Sequence, residues 1–287
     1  MRHTPVAGRR PAIRIRPGGA LSAALLVALA IVFAAPLLWL LDTALKDPAE
    51  LAAYPIHLVP RMPEWHNFGD ALTLIDYAKY ARNSLFLSAL SMALLTLSSA
   101  MVGFGFARLR GRGQRPLFVL MLATTMLPPI LLVIPTYALF ARLGLIYNYW
   151  PWVLWGLGAN PVLAFLCRQF FAGIPLELED AAIVDGCGHG RIFWQMFLPL
   201  SKPVLATVAI FSFQWTWDDW FRPLLFLTQD NTTLAVAMTG GYADASGHPL
   251  TTILAAGTLI YALPVIVIFL LAQRYFVQGI TTSGLKG

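Results

Sequence analysis

The chain has 287 residues, 58% of them hydrophobic and only 12% charged, with a net charge of +6. A typical soluble domain carries roughly a quarter charged residues, so this composition excludes a soluble fold, and its apolar content equally excludes disorder. Two cysteines, Cys167 and Cys187, cannot build a disulfide scaffold; what remains is a polytopic membrane protein whose positive charge reflects basic loops rather than nucleic-acid binding.

Charge-free windows mark the spans, since a helix needs ~20 apolar residues to cross a bilayer. Residues 1–19 form a basic arm with Arg2, Arg9, Arg10, Arg14 and Arg16 and no acid. The window from Arg16 to Asp42 predicts a first spanning helix near 20–41. A cleaved signal peptide is the competing reading, but the run at 17–41 exceeds the usual apolar core of ~7–15 residues. The outer segment 42–83 carries Pro48, Pro55, Pro60 and Pro63, which suggest an ordered, irregular cap. Three further windows predict helices near 84–107, 116–140 and 149–171. Pro128, Pro129 and Pro135 predict a kink in the third. Helices near 203–227 and 251–272 complete the set, separated by a polar, glycine-bearing loop at 229–249. The expected fold is therefore all-α with six transmembrane helices. Continuous apolar runs, not alternating ones, exclude a β-barrel.

Fourteen basic residues fall on the side of the arm, among them Arg108, Arg110, Arg112, Arg115, Arg168, Arg191, Lys202, Arg274 and Lys286. Six fall on the other: Lys46, Arg61, Lys79, Arg82, Arg142 and Arg222. The positive-inside bias places both termini in the cytoplasm.

The inner segment 172–202 has helical patterning. Pro175 suits a first turn, and Glu177, Glu179 and Asp180 complement the macrodipole at that end. Gly186, Gly188 and Gly190 permit a sharp reversal. Ile192, Phe193, Met196 and Phe197 then recur at helical spacing. Two short helices at an angle follow, stopped by Pro199 and Pro203. Physics alone leaves two roles open: docking into a groove of a soluble partner, or resting on the bilayer surface.

The residues of this segment resemble a known signature. Asp180-Ala181-Ala182, three residues, Gly186, nine residues, Met196, one residue and Leu198-Pro199 look like the EAA loop of permeases of ABC importers, with Asp for Glu and Met for Ile. Asn83-Ser84-Leu85, Met126-Leu127-Pro128, Ile134-Pro135-Thr136-Tyr137, Leu143-Gly144-Leu145, Trp217-Asp218-Asp219-Trp220 and the tail from Gln273 to Gly279 are similar to elements of the maltose and oligosaccharide permeases of that family. The resemblance covers residues 20–287 as one permease domain, with 172–202 as its coupling loop. It implies a subunit of an ATP-driven sugar importer in a bacterial-type cytoplasmic membrane. Its partners would be a second homologous permease, two ATPase subunits and an extracytoplasmic solute-binding protein. The chain has no Gly-Lys-Ser or Gly-Lys-Thr phosphate loop, so ATP and Mg would be bound in the partner ATPases, and this chain would hold no cofactor or metal and perform no catalysis. By resemblance, coupling to the ATPase falls to Glu179, Asp180, Ala181, Ala182, Asp185, Gly186, Met196, Leu198 and Pro199. Asp185 has a second reading, as a cap of the turn toward Gly188.

Asp218 and Asp219 are the only acids in a predicted span, about 22 Å along it at ~1.5 Å per residue. With Trp215, Trp217 and Trp220 they would line a substrate pathway, flat indole faces meeting sugar rings; alternatively they form an aromatic belt with an Asp–Arg222 pair. Gly240, Gly241 and Tyr242 would either reach a solute-binding protein or form an ordinary loop. His189 has no second ligand at metal spacing. Another solute, such as a glycerol-phosphate or polyol, is the main alternative cargo. An intramembrane enzyme would need catalytic groups inside the spans, and an ion-coupled carrier would need mid-membrane charges; neither pattern is present.

Overall fold

In hydrocarbon, a helix satisfies every backbone group within its own segment, and the predicted spans are helical in the computed structural model of the chain. The structure describes residues 17–283 apart from 245, with side chains described over 21–273. The arginines of the arm and Lys286 therefore lie outside the described residues. Four helices are long and apolar enough to cross a bilayer: Leu21–Ala44, Tyr77–Arg108, Trp150–Ala172 and Thr251–Gln273. Two bent pairs bring the number to six if each is one span: Gln114–Met126 with Pro129–Arg142, and His189–Leu200 with Lys202–Trp217.

The third span corrects the expectation of one kinked helix. Its halves meet at 100°. Pro128 and Pro129 both lack an N–H, and a residue preceding proline is pushed out of the α region. Leu127 (ψ 121°) and Pro128 (ψ 124°) are accordingly extended, and the helix breaks instead of bending. Pro135 sits inside the second half without interrupting it. The fifth span is also shorter than expected. It ends at Trp217 rather than near 227, with Asp218 as its C-cap and Phe221–Phe226 as a separate helix. The fourth span is interrupted at 158–160, where Ala159 has φ 56°. Asn160 restarts it by accepting from the backbone N–H groups of Val162 (3.0 Å) and Leu163 (3.2 Å). The 77–108 helix begins about two turns earlier than expected, because Asp76 caps it by accepting from the Lys79 N–H at 3.2 Å.

The 77–108 helix is central, packing against the 150–172 and 202–217 helices. Its seam with 150–172 is built from small residues, as close helix approach in a membrane requires. A Cβ on Gly103 would lie 2.6 Å from Cys167 Cβ and 2.9 Å from the Ala164 carbonyl, and a Cβ on Gly156 would lie 2.7 Å from Leu94 Cβ. Ser98 Oγ donates across the seam to the Gly156 carbonyl at 2.7 Å, and Ser99 Oγ accepts from the Asn160 N–H at 3.2 Å. One core cluster lies at the arginine-bearing end, around Phe104, Phe171, Phe193 and Phe197. A second lies at the opposite end, around Tyr77, Phe213, Trp217 and Tyr242. Beyond that end the expected cap is partly helical (Pro48–Leu51 and His66–Thr73). It is pinned by Asn67, whose Nδ2 donates to the carbonyls of Ala44 (2.9 Å) and Lys46 (3.1 Å).

Two glycines on one helix make a test of the seam. Gly103→Leu is expected to destabilise the protein by ~1–3 kcal/mol through overpacking, read as a lower thermal unfolding midpoint in detergent. Gly105→Ala, where a Cβ meets nothing within 4 Å, should be neutral or stabilising by up to ~1 kcal/mol.

Candidate functional site

The inner segment folds as two short helices at the arginine-bearing end. The first, Leu176–Val184, starts after Pro175, whose ψ of 138° is extended. It ends in a Schellman motif. Gly186 adopts φ +80°, its N–H donates to the Ile183 carbonyl (2.9 Å), and the Cys187 N–H donates to the Ala182 carbonyl (2.9 Å). The glycine of the signature is thus the residue that permits the left-handed turn, and no neighbouring atom crowds it. Asp185 is the C-cap residue, yet its side chain makes no hydrogen bond among the described residues. The second helix, His189–Leu200, contains a π turn over Phe193–Phe197 closed by the Leu198 N–H on the Phe193 carbonyl. Pro199 follows with no N–H to continue the ladder.

The two faces of this pair differ. Phe193 and Phe197 are buried, and Phe104 meets them with ring centroids 5.2 and 4.9 Å away. Met196, Leu198 and Ala182 are partly buried against the same cluster. Asp180, Ala181, Asp185, Gly186 and Pro199 are exposed, as are Leu176, Leu178, Ile183 and Val184. Glu179 instead turns inward and is 6% exposed. Its Oε2 lies 3.5 Å from Arg108 Nη1, a charge contact rather than a hydrogen bond. Arg108 also donates from Nη2 to the carbonyls of Phe171 and Ile174, and its guanidinium lies 5.0 Å over the Phe197 ring. One buried arginine therefore joins the 77–108 helix to the 161–172 helix and to both short helices. Arg108 had stood out in the sequence only as one of four clustered arginines.

The acid pair at the other end is divided. Asp219 binds Arg222: Oδ2 accepts from Nε, and Oδ1 from the backbone N–H at 3.2 Å. Asp218 is exposed and accepts from the Tyr261 hydroxyl at 3.3 Å. Trp217 is buried between Phe213 and Tyr261, and its Nε1 donates to the Tyr261 carbonyl at 3.2 Å. Trp220 is half exposed. A cavity of about 580 Å³ opens beside Asp219 and Arg222, walled by Trp155, Trp215, Asn160 and Thr136. Arg222 lies 5.2 Å over the Trp155 ring. Of the four residues singled out in the Trp-Asp-Asp-Trp element, only Asp219 lines this cavity. Trp215, expected to offer a flat face to a sugar ring, does line the cavity. Trp155 and Asn160 carry no local signal in the sequence, because the folding that brings three spans together sets their place.

Gly240 and Gly241 border a separate cleft of about 650 Å³ with Asp76, Thr228 and Gln229. Tyr242 is buried and donates to the Ala71 carbonyl at 2.6 Å; burial pushes its hydroxyl up to about 12, so it stays a donor across ordinary pH. Among the described residues no group of three or more His, Cys, Asp or Glu is placed to hold a metal.

Comparison with known proteins agrees with this layout. Residues 99–282 match the family described as binding-protein-dependent transport system inner membrane component. The chain is 33% identical over 260 residues to the probable ABC transporter permease protein YurM of Bacillus subtilis, covering 90% of this chain and 85% of that protein. It is 31% identical over 268 residues to the galactooligosaccharides transport system permease protein GanQ of the same organism, covering 92% and 94%. The arabinooligosaccharides transport system permease protein AraQ of Halalkalibacterium halodurans is 32% identical over 256 residues, covering 88% and 91%. In fold, the chain is similar to the crystal structure of a bacterial ABC transporter involved in the import of the acidic polysaccharide alginate, with a TM-score of 0.76 and 21% identity over 94% of this chain and 100% of that one. The matched stretch takes in both short helices and five of the six spans in whole or part, and on that basis the chain belongs to the binding-protein-dependent inner membrane components, the permease subunits of ABC importers.

Proposed function

We propose that the chain carries a sugar or oligosaccharide across the cytoplasmic membrane by alternating access, driven by ATPases that grip the 176–184 helix. The family's description entails a solute-binding protein and an ATPase as partners in general. The proposed assembly has two ATPases at the arginine-bearing end and a second, homologous permease alongside. ATP and Mg belong to the ATPases. The exposed sides of the Leu21–Ala44 helix offer that second permease an apolar surface. Within this reading residues 20–287 act as one permease domain, 1–19 as a basic arm, and both termini face the cytoplasm.

One observation carries the coupling role. The 176–184 helix exposes Leu176, Leu178, Ile183 and Val184 beside Glu177 and Asp180, while it is fixed inward through Glu179 to Arg108. An unpartnered apolar face at a charged end fits a groove in a soluble partner. Displacement of that face is transmitted to the end of the 77–108 helix. Asp180, Ala181, Asp185 and Gly186 are the accessible contacts; Ala182, Met196, Leu198 and Pro199 shape the seat behind them.

For substrate, the cavity beside Asp219 suits a neutral polyhydroxylated ring. Trp215 and Trp155 supply flat faces, and Asn160, Thr136 and the Asp219–Arg222 pair supply hydrogen bonds. A glycerol-phosphate is less well served, because the Arg222 charge is already met by Asp219. The printed names of GanQ and AraQ concern galacto- and arabinooligosaccharides, the same chemical class. Gly240 and Gly241, at the rim of the other cleft, are proposed contacts for the solute-binding protein, with Tyr242 holding their backbone in place.

Two predictions follow from these roles. Ala182→Lys, and Gly186→Pro, which cannot reach φ +80°, should still insert in the membrane. Each should lower substrate-stimulated ATP hydrolysis and uptake by about ten-fold or more, equivalent to losing ~1.4 kcal/mol of docking; unchanged stimulation in both would refute the coupling role. In the cavity, Trp215→Ala and Asp219→Asn should raise the half-saturation of uptake by roughly five-fold, the worth of one aromatic contact. Unchanged half-saturation in both would instead favour an aromatic belt and a structural ion pair.

A further inference from the structure

Where the 77–108 helix emerges at the arginine-bearing end, two cavities adjoin. One is a shallow groove of about 350 Å³, walled mainly by Val102, Gly105, Phe106, Leu109 and Leu117, with Arg110 and Arg112 on its rim. The other is a chamber of about 840 Å³ that contains Arg108, Arg110, Arg168 and His189. They share Phe106, Leu109, Arg110 and Gln114, so they form one continuous site, apolar at one end and basic at the other.

Its charges are unevenly spent. Arg108 is occupied by Glu179 and by the Phe171 and Ile174 carbonyls. Arg168 lies 4.3 Å over the Phe118 ring, with a buried Nε that has no hydrogen-bond partner. Glu179 and Asp180 form the far wall. With Arg108 set against Glu179, the chamber's lining keeps two further arginines, Arg110 and Arg168, to one further acid, Asp180. Arg168 Nη1 also donates to Gln169 Oε1 at 3.5 Å, and the connecting segment 109–113 adds Arg112 and no acid. A chain anchored in a membrane places such a site at the level of the lipid headgroups.

We propose that this is a binding site for an anionic phospholipid, one acyl chain lying in the groove over Gly105 and Phe106, and the phosphodiester in the chamber against Arg110 and Arg168. Charge complementarity selects the lipid: basic pockets between spanning helices at the membrane surface attract acidic headgroups, and the apolar limb excludes a small free anion as the best occupant. A lipid so placed abuts Asp180 and Ile183 of the coupling helix, so its presence would stiffen the lever that the ATPase grips.

The test uses the full-length chain within its purified importer, delipidated in neutral detergent and titrated with dioleoyl phosphatidylglycerol, dioleoyl phosphatidylcholine or inorganic phosphate, with bound lipid read by native mass spectrometry. Phosphatidylglycerol is expected to be retained preferentially. Arg110→Gln with Arg168→Gln should weaken it by about five-fold per arginine. Gly105→Leu, which fills the groove where a Cβ meets nothing, should also reduce retention while the unfolding midpoint in lipid-free detergent is preserved. Equal binding of the two lipids, full retention by the double arginine variant, displacement of phosphatidylglycerol by phosphate at matching concentration, or binding to the isolated chain that vanishes in the assembled importer would each overturn the proposal. The last result would assign the face to the partner permease.

Discussion

A charge removed from water must be met by other charges or dipoles, and the desolvation left over is several kcal/mol if it is not. Arg108 is where this chain is most bound by that rule. Its guanidinium is buried and its partners all come from other elements, the Phe171 and Ile174 carbonyls, the Glu179 carboxylate and the Phe197 ring, with Nε left without a hydrogen bond. The carbonyls lie at and just beyond the end of the 161–172 helix, and that of Phe171 also accepts from the Ile174 N–H at 3.1 Å, so the arginine adds a second donor to the turn that closes the helix. Sliding the 176–184 helix alone would strand both a cation and a carboxylate in the interior. The short helices are thereby tied to the spans, which is the mechanical property the proposed coupling role requires.

At the opposite end the same rule fixes the outer cap. Lys46 is buried, donating to the Asp42 carboxylate and the His57 carbonyl, and Asn67 ties the chain at Ala44 and Lys46 to the His66–Thr73 helix. Each end of the bundle is thus pinned by one buried cation, while the length between them is held by small-residue packing at Gly103 and Gly156. Apolar attraction between helices is weak in lipid; close approach and a few polar pins do that work instead.

Much of this was legible in the sequence because the governing patterns are local. Charge-free windows located the spans, and the spacing of Gly186 from Pro175 foretold the helix, the left-handed turn and the reversal. What escaped was set by contacts between distant segments. Glu179 looks like any first-turn acid until the 77–108 helix brings Arg108 beside it. Trp217 and Trp220 look equivalent in sequence, yet one is packed against Tyr261 and the other is half exposed. The consecutive prolines signalled a disturbance at 128–129, but a kink and a full break differ only in whether neighbouring structure can accommodate the freed backbone groups, which periodicity does not encode.

That last point bears on the cavity. Irregular backbone at membrane depth survives only where it is buried in protein or faces a water-filled space. Two spans are interrupted, one after Met126 and one at 158–160, and a third ends early at Trp217. Residues at or flanking these three points, Pro129 and Ile130, Asn160, and Asp219 and Phe221, line the same 580 Å³ cavity. Breaks scattered along the bundle would each need a separate means of satisfying exposed peptide groups. Gathered around one hollow, they share it, and several of the N–H groups there are already met, Asn160 by Ser99 Oγ and Asp218 by the Gln214 carbonyl. The broken helices and the polar hollow are then one feature, and the proposed occupant, a molecule rich in hydroxyl groups, would meet its side-chain amide, hydroxyl and ion-pair groups without bringing a charge.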